Sequence, residues 1–489
     1  MWKRAALVFV ICCGIVEAQT TLNLHCLPTA KPGLCILNSI KVKTKDFINP
    51  TSSSSTEKVI QFENSQLDYF PPVLFNKFPE LETLLASNIG LKKLWNDTFA
   101  HSTNLKHLDI SSNFVSALPE NVFGTCHNLE VINVAENRLH LFKSIELIGC
   151  KQLRHLNVSS NQLIYINWDP LSDLRQLEQL DLGNNLITEL IIPKYLRRLV
   201  ASNNHIHELS TDRDAFIFML EYLDASRNRL SNIDKLSHLA KLTYIDLSYN
   251  RLLSVDFALF KSMRLLRELR LAHNNIFAVT TSELKPISLE LVDLSYNELA
   301  HLAANDSAGI GSTVKLLLNN NYLMSFEVTD GSLNFPNLRE ISLNGNDWTC
   351  KDIDRIMIGL KAKNVNVIPD HQQCAPYQIS RNYLCCRDVG VSYDELILMK
   401  SEDHVTARVV QKTVPTVTGS ASEVIPVIHK SSKDSLMATE SQLIQIKREK
   451  EDLQALLEKV QQEARLFSEK LKRCLSAINQ RTGQSVIID

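Results

Sequence analysis

One residue type returns at near-constant intervals through the middle of this chain. Asparagine stands at Asn113, Asn137, Asn161, Asn185, Asn204, Asn228, Asn250, Asn274, Asn297, Asn321 and Asn346. The ten intervals are 24, 24, 24, 19, 24, 22, 24, 23, 24 and 25 residues. Around these positions the chain repeats L-x-x-L-x-L-x-x-N-x-L, as in "LKHLDISSNFV" from Leu105, "LRHLNVSSNQL" from Leu153 and "LTYIDLSYNRL" from Leu242. A period of this length means one supersecondary unit per repeat, stacked on its neighbours.

The pattern is the leucine-rich repeat, and it dictates an α/β solenoid of about thirteen coils once two degenerate repeats, near Phe62 and at Leu81, are added. No single coil can bury its inward leucines, so stability comes from stacking. The asparagine sits where the chain bends out of its strand. Its amide is expected to satisfy backbone groups of its own and the adjoining coil, which an apolar side chain cannot do. The 19-residue interval from Asn185 to Asn204 leaves no room for a full convex helix.

The end coils of a solenoid need covers. "LHCLPTAKPGLCIL" supplies Cys26 and Cys35 before the first coil, and we pair them. "NDWTCKDIDRIMIGLKAKNV" follows the last asparagine: Trp348 covers the final coil, and Ile353, Ile356, Met357 and Leu360 form one face of a short helix. Cys374 is expected to return to Cys350. Cys126 and Cys150 share one offset on adjoining coils, where a staple between coils is geometrically reasonable.

The compartment follows from the start of the chain. "MWKRAALVFVICCGIVEA" has a basic start, a short apolar core and small residues before Gln19, which reads as a secretory leader over residues 1–18. Its apolar run is only about half of the ~20 residues a membrane span requires, and no other stretch is apolar enough to cross. Outside the cell, cysteines are bridged. Eleven cysteines less Cys12 and Cys13 leave nine, an odd number. After the pairs above, Cys385, Cys386 and Cys474 remain as candidates for a bond to another chain. Neighbours such as Cys385 and Cys386 barely bond to each other, so one of them is expected to reach outward.

Beyond the cap (residues 350–390) lies a helix and flexible linker (391–435), then a heptad seam (436–479) and a short tail (480–489). Leu443, Lys450, Leu457, Ala464, Leu471 and Ile478 fall seven apart, and Ile446, Leu453, Val460, Phe467 and Cys474 repeat at an offset of three. That is an a/d pattern over about five heptads, a seam suited to a partner helix in a C-terminal α-helical coiled coil. With the N-terminal cap over 19–58 and the solenoid over 59–349, this completes the domain plan.

Residues in both caps extend the reading. Cys26 and Cys35, the coil "VIQFENSQLDYFPPVLFNKFPELETL", the cap "NDWTCKD…DHQQCAPYQISRNYLCCRD" and the heptads after it resemble the mosquito leucine-rich-repeat immune proteins over nearly the whole chain. The resemblance implies a haemolymph protein, disulfide-linked to a second family member through the region of Cys385 and Cys386. It also implies a bound complement-like thioester protein, held soluble and delivered to pathogen surfaces. The e and g positions, such as Lys447, Glu449, Gln454, Gln461 and Glu463, set no charge rule, so homodimer and heterodimer are both open.

Nothing in the pattern suggests catalysis. The histidines, His107 and His155 among them, are scattered, and a zinc site needs three or four convergent ligands. No serine-hydrolase elbow, zincin motif or phosphate loop occurs, and no cofactor is expected. A formal charge of −2 over 489 residues gives no basic patch for nucleic acid. Asp109, Asp181, Asp224, Asp246 and Asp293 fill one row of the inner strands. Arginines between them (Arg154, Arg197, Arg198, Arg227, Arg267, Arg270 and Arg339) make that row a mixed, solvated face more readily than an acidic stripe. Glycan acceptor sequences begin at Asn96, Asn157 and Asn305. Tyr222, Tyr244, Tyr249 and Tyr296 gather on the inner side of later coils, and rigid aromatic surface favours binding. The reading is a secreted, disulfide-dimerised binding scaffold and not an enzyme; the alternative is an adhesive matrix protein that uses its concave face.

Overall fold

In the computed structural model, the chain divides into two compact units, residues 1–403 and 404–489. The structure describes residues 20–388, apart from 22–23, 30, 44–47, 50–54, 72, 143–146, 148, 167–173, 212–216, 281–288, 303–309, 327–334, 370–373 and 375–377. The leader, the linker, the heptad residues Leu443, Ile446, Leu453, Leu457, Val460, Phe467 and Leu471, and the sites Asn305 and Cys474 lie outside the described residues.

One parallel sheet of fifteen strands runs through the first unit in chain order. Its first strand, Leu34–Asn38, and its last, Asn366–Val367, belong to the caps, which leaves thirteen strands for the coils. Each inner strand is about three residues long because only the x-L-x centre of the repeat is extended. Its middle residue, a leucine, isoleucine or valine, is buried, and the flanking residues are more exposed, as in Tyr222–Asp224 and Tyr244–Asp246. Among the described residues, the return path carries short parallel strand pairs and 3₁₀ turns. The 19-residue coil places the strand Glu189–Ile192 there, paired over four residues with Glu208–Thr211. Towards the N-terminal end, Phe70, Phe75, Phe99 and Phe123 pack edge-on or tilted against one another through the core, at centroid distances of 5.4–6.3 Å.

The asparagines form a continuous ladder, and all eleven are buried. Asn228 is representative. Its Oδ1 accepts from the Ile206 N–H at 3.0 Å, in the preceding coil. Its Nδ2 donates to Ala201 O at 2.9 Å, Ala225 O at 3.1 Å and Ser226 O at 3.0 Å. One amide thus ties two coils together. The residue before each asparagine is in the left-handed region, from Ser112 (φ 54°) to Asn320 (φ 56°). At the last coil this residue is Gly345, which adopts the left-handed conformation without strain; a Cβ there would lie 2.3 Å from Asn320 Oδ1 and displace that side chain.

The C-terminal cap corrects the expected cysteine pairing. Trp348 is buried and donates from Nε1 to Leu343 O at 2.9 Å. The Thr349 hydroxyl caps the helix Cys350–Ala362 by accepting from the Asp352 N–H. Ile353, Ile356 and Leu360 of this helix are buried, with Met357 packed beside them. Two further strands, Ile379–Arg381 and Leu384–Arg387, form a hairpin, and the second aligns Cys386 with Trp348. Neighbours on a strand point to opposite faces. Cys386 therefore turns inward to bond Cys350, and Cys385 turns the other way to bond Cys374. The expected Cys350–Cys374 bond does not form. Neither Cys385 nor Cys386 is left for a second chain, so both drop out as interchain candidates. Arg387 ends this strand and meets Asp347 at 3.1 Å, with both side chains buried.

At the other end Cys26 and Cys35 are bonded, with Cα atoms 4.8 Å apart. The expected Cys126–Cys150 staple is absent; both are free, buried thiols. Cys126 Sγ lies 3.9 Å from Phe99 O, so it turns towards the preceding coil, whereas Cys150 belongs to the following one. Burial pushes the Cys126 thiol up to about 12 and raises that of Cys150 as well.

Candidate functional site

The inner face carries four kinds of row, and the row of aspartates comes first. Asp224 Oδ1 accepts from the Ser226 N–H at 3.0 Å and the Ser226 hydroxyl at 2.7 Å. Asp109 does the same with Ser111, and Asp293 with Ser295. Asp181 and Asp246 accept from the N–H groups of Gly183 and Ser248. These carboxylates close the bend after each strand. Burial raises Asp181 above its usual range. The row serves the fold before it serves any ligand.

At the lip, the residue before each strand alternates in sign from Lys58 to Glu221, and the uncharged Thr243 and Val314 interrupt the row further on. Lys58 and Lys106 reach Glu82 at 2.6 and 2.8 Å, Arg197 reaches Glu221 at 2.6 Å and Arg267 reaches Glu290 at 2.9 Å. Hydrogen bonds from Lys106 and Lys58 hold the Glu82 carboxyl down to about 2. Such exposed pairs contribute little to stability, but they leave the lip without a field of one sign.

The third row is aromatic. Tyr222 and Tyr244 stack at 4.4 Å with planes 1° apart, and the guanidinium of Arg198 lies 3.7 Å above Tyr222. Burial, then the nearby Asp246, raises the Tyr244 hydroxyl above its ordinary value. The fourth row is the left-handed one. Arg227 lies over Tyr249 at 4.1 Å, Tyr249 stacks on His273 at 4.0 Å, and His273 stacks on Tyr296 at 4.0 Å. Burial lowers the His273 pKa. The four tyrosines singled out in the sequence therefore fall into two stacks. His273, which the sequence placed among scattered histidines, is the middle ring of one. The signal was available, because Arg227, Tyr249, His273 and Tyr296 each directly precede a ladder asparagine.

Other expected sites are separate. Asn96 is exposed on the chain that leaves Leu94, next to Trp95, whose ring has the Lys93 ammonium 3.7 Å away. Asn157 is half-buried on the strand His155–Asn157, and its Oδ1 accepts from the Ser159 N–H and hydroxyl. His107 pairs with Thr83 at 3.3 Å. Among the described residues no group of three or more His, Cys, Asp or Glu is placed to hold a metal ion, and no helix is long and apolar enough to cross a membrane.

The fold and this face define a leucine-rich-repeat solenoid of the kind that binds other molecules on a broad curved surface. The leucine rich repeat family model matches residues 79–139, 103–163 and 219–276. Among solved structures, the chain is similar to the leucine-rich repeat domain of APL1, at 22% identity and a TM-score of 0.60, covering 72% of this chain and 97% of that one. It is also similar to the LRIM1/APL1C complex, at 20% identity and a TM-score of 0.63, covering 95% of this chain and 88% of that one. At these identities the likeness shows the fold. Among curated proteins, oligodendrocyte-myelin glycoprotein from Homo sapiens is 28% identical over 183 residues, 37% of this chain. The match spans 36% of that glycoprotein's length.

Proposed function

We propose that this chain is an extracellular protein-binding scaffold of innate immunity, joined to a second leucine-rich-repeat chain, that carries a complement-like thioester protein. The observation that carries this reading is the capping: one disulfide at the N-terminal end, and two disulfides with a buried Asp347–Arg387 pair at the C-terminal end, seal a solenoid of binding type. Disulfides of this kind belong to oxidising fluids such as haemolymph. The likeness to a structure described as a complex of two such chains supports pairing.

Both cap cysteines are used within the chain, so the bond between chains falls to Cys474, at a d position of the heptad seam. A parallel helix partner brings two such positions face to face, while the seam itself supplies partner choice. Non-reducing and reducing gels of the secreted protein test this, together with sedimentation of a Cys474→Ser variant. A dimer that falls to one chain on reduction, and loses its covalent bond but not its sedimentation in C474S, supports the reading. A wild-type chain that runs and sediments alone overturns it.

A further inference from the structure

We propose that the two stacks of planar side chains between Arg198 and Tyr296 are the docking surface for a carboxylate-bearing segment of a protein partner. In both stacks an arginine closes one end and rings follow at centroid distances of 4.0–4.4 Å. The rows lie on consecutive coils: Tyr222 shares a coil with Arg227, and Tyr244 with Tyr249.

Two features select the ligand. The first is where charge is left over. Every carboxylate around the stacks already has a partner in the fold. Asp224, Asp246 and Asp293 accept from the bends. Glu221 holds Arg197, Glu268 holds Arg270 and Glu290 holds Arg267. Among the described residues neither Arg198 nor Arg227 lies within 4.0 Å of a carboxylate; each guanidinium instead lies flat on a tyrosine, at 3.7 and 4.1 Å. Stacking fixes the plane of the fork and leaves its N–H edge for an incoming anion, the geometry in which arginine takes a carboxylate with two hydrogen bonds.

The second feature is where aromatic surface is left over. Ring faces inside the stacks are covered by their neighbours, so Tyr249 and His273 offer edges. Sugars and nucleobases stack on ring faces, and both faces of Tyr249 and of His273 are already covered by neighbours in the stack. Edges of pre-ordered tyrosines beside arginine match the composition of protein interface centres. Tyr249 and Tyr296 are 40% and 42% exposed even though stacking neighbours cover both faces of Tyr249 and one face of Tyr296. These rings are ordered before any partner arrives, so docking orders fewer side chains.

This inference deepens the scaffold reading and rests on it only for the class of ligand, a protein. Full-length secreted protein would be titrated with poly-L-glutamate by biolayer interferometry, at low and at physiological ionic strength. Binding that weakens with salt is expected. The double variant Arg198→Gln/Arg227→Gln is expected to weaken it about tenfold or more, and Tyr249→Leu/Tyr296→Leu severalfold, both with the wild-type melting temperature. Lys151→Gln/Lys351→Gln, which removes the same charge from exposed positions outside the stacks, is expected to leave binding within about twofold. Absence of polyglutamate binding in the wild type overturns the proposal. So does equal weakening in the lysine control, which means diffuse charge only. So does heparin that binds through the same arginines while polyglutamate does not, which makes the site one for a sulfated polysaccharide. Persistence of the dimer alongside lost polyglutamate binding removes this surface and leaves the pairing intact; the reverse result removes the pairing alone.

Discussion

Replacing Asn228 by alanine isolates what one rung of the asparagine ladder contributes. The wild-type amide makes four hydrogen bonds between 2.9 and 3.1 Å. Its three acceptors are not equally dependent on it. Ala201 O also accepts from Asn204 Nδ2, Ala225 O from Asn250 Nδ2 and Ser226 O from the Asn203 N–H. Only the Ile206 N–H loses its sole partner, and an orphaned buried donor costs about 1–3 kcal/mol. Three weakened carbonyl contacts add to this, for about 2–4 kcal/mol in all. Urea denaturation would read the total, and hydrogen exchange would read the site: the Ile206 amide should lose protection while amides two coils away keep theirs. Asn228→Asp should be worse at neutral pH, because it sets a carboxylate oxygen against three carbonyls, and it should recover as the pH falls and the acid becomes a donor. A loss below about 0.5 kcal/mol in N228A, or unchanged exchange at Ile206, would refute the ladder as a source of stability.

Further outcomes follow from the same geometry. Removing the Cys350–Cys386 bond, which spans 36 residues, should cost about 1 kcal/mol more in denaturation than removing Cys374–Cys385, which spans 11. Cys126 and Cys150 should resist alkylation by iodoacetamide in the native protein at pH 8 and react fully in urea, since both thiols are buried and raised. Because the folded thiol value lies above the unfolded one, their contribution is complete below the ordinary thiol range of about 9 and is lost as the pH climbs towards 12; an alkaline melting series reads this. Glu82 titrates in the opposite sense. Its carboxyl is held down to about 2, so its ion pairs with Lys58 and Lys106 persist above the ordinary carboxylate range and are lost as the pH falls towards that value. Carboxyl chemical shifts in an acid titration would follow it. Mass loss on enzymatic deglycosylation should map to exposed Asn96 before half-buried Asn157.

The solenoid was legible because its signal is periodic and local. Leucines at fixed spacing and an asparagine at each bend state the strand, the turn and the core at once, and the Asn228 bonds are those the residue type requires. Cysteine partners were less legible. Pairing Cys350 with Cys374 follows closeness along the chain, but the strand Leu384–Arg387 brings Cys386 beside Trp348 from far along it. Strand alternation then assigns the adjacent sulfurs to opposite faces. Position on equivalent coils predicts that Cys126 and Cys150 are neighbours but not which way each sulfur turns. On the inner face, the tyrosines were visible and their order was not. His273 belongs to the stack through its left-handed position before Asn274, a backbone property that the residue name does not announce.

In the proposed pairing, Cys385 and Cys386 are closed within one chain and the link to a second chain lies in the heptads. Mass spectrometry of an unreduced digest of the full-length protein is the sharpest test of this. Peptides joining Cys350 to Cys386 and Cys374 to Cys385 within one chain, with a cross-chain peptide containing Cys474, are expected. A cross-chain peptide through Cys385 or Cys386 would contradict it.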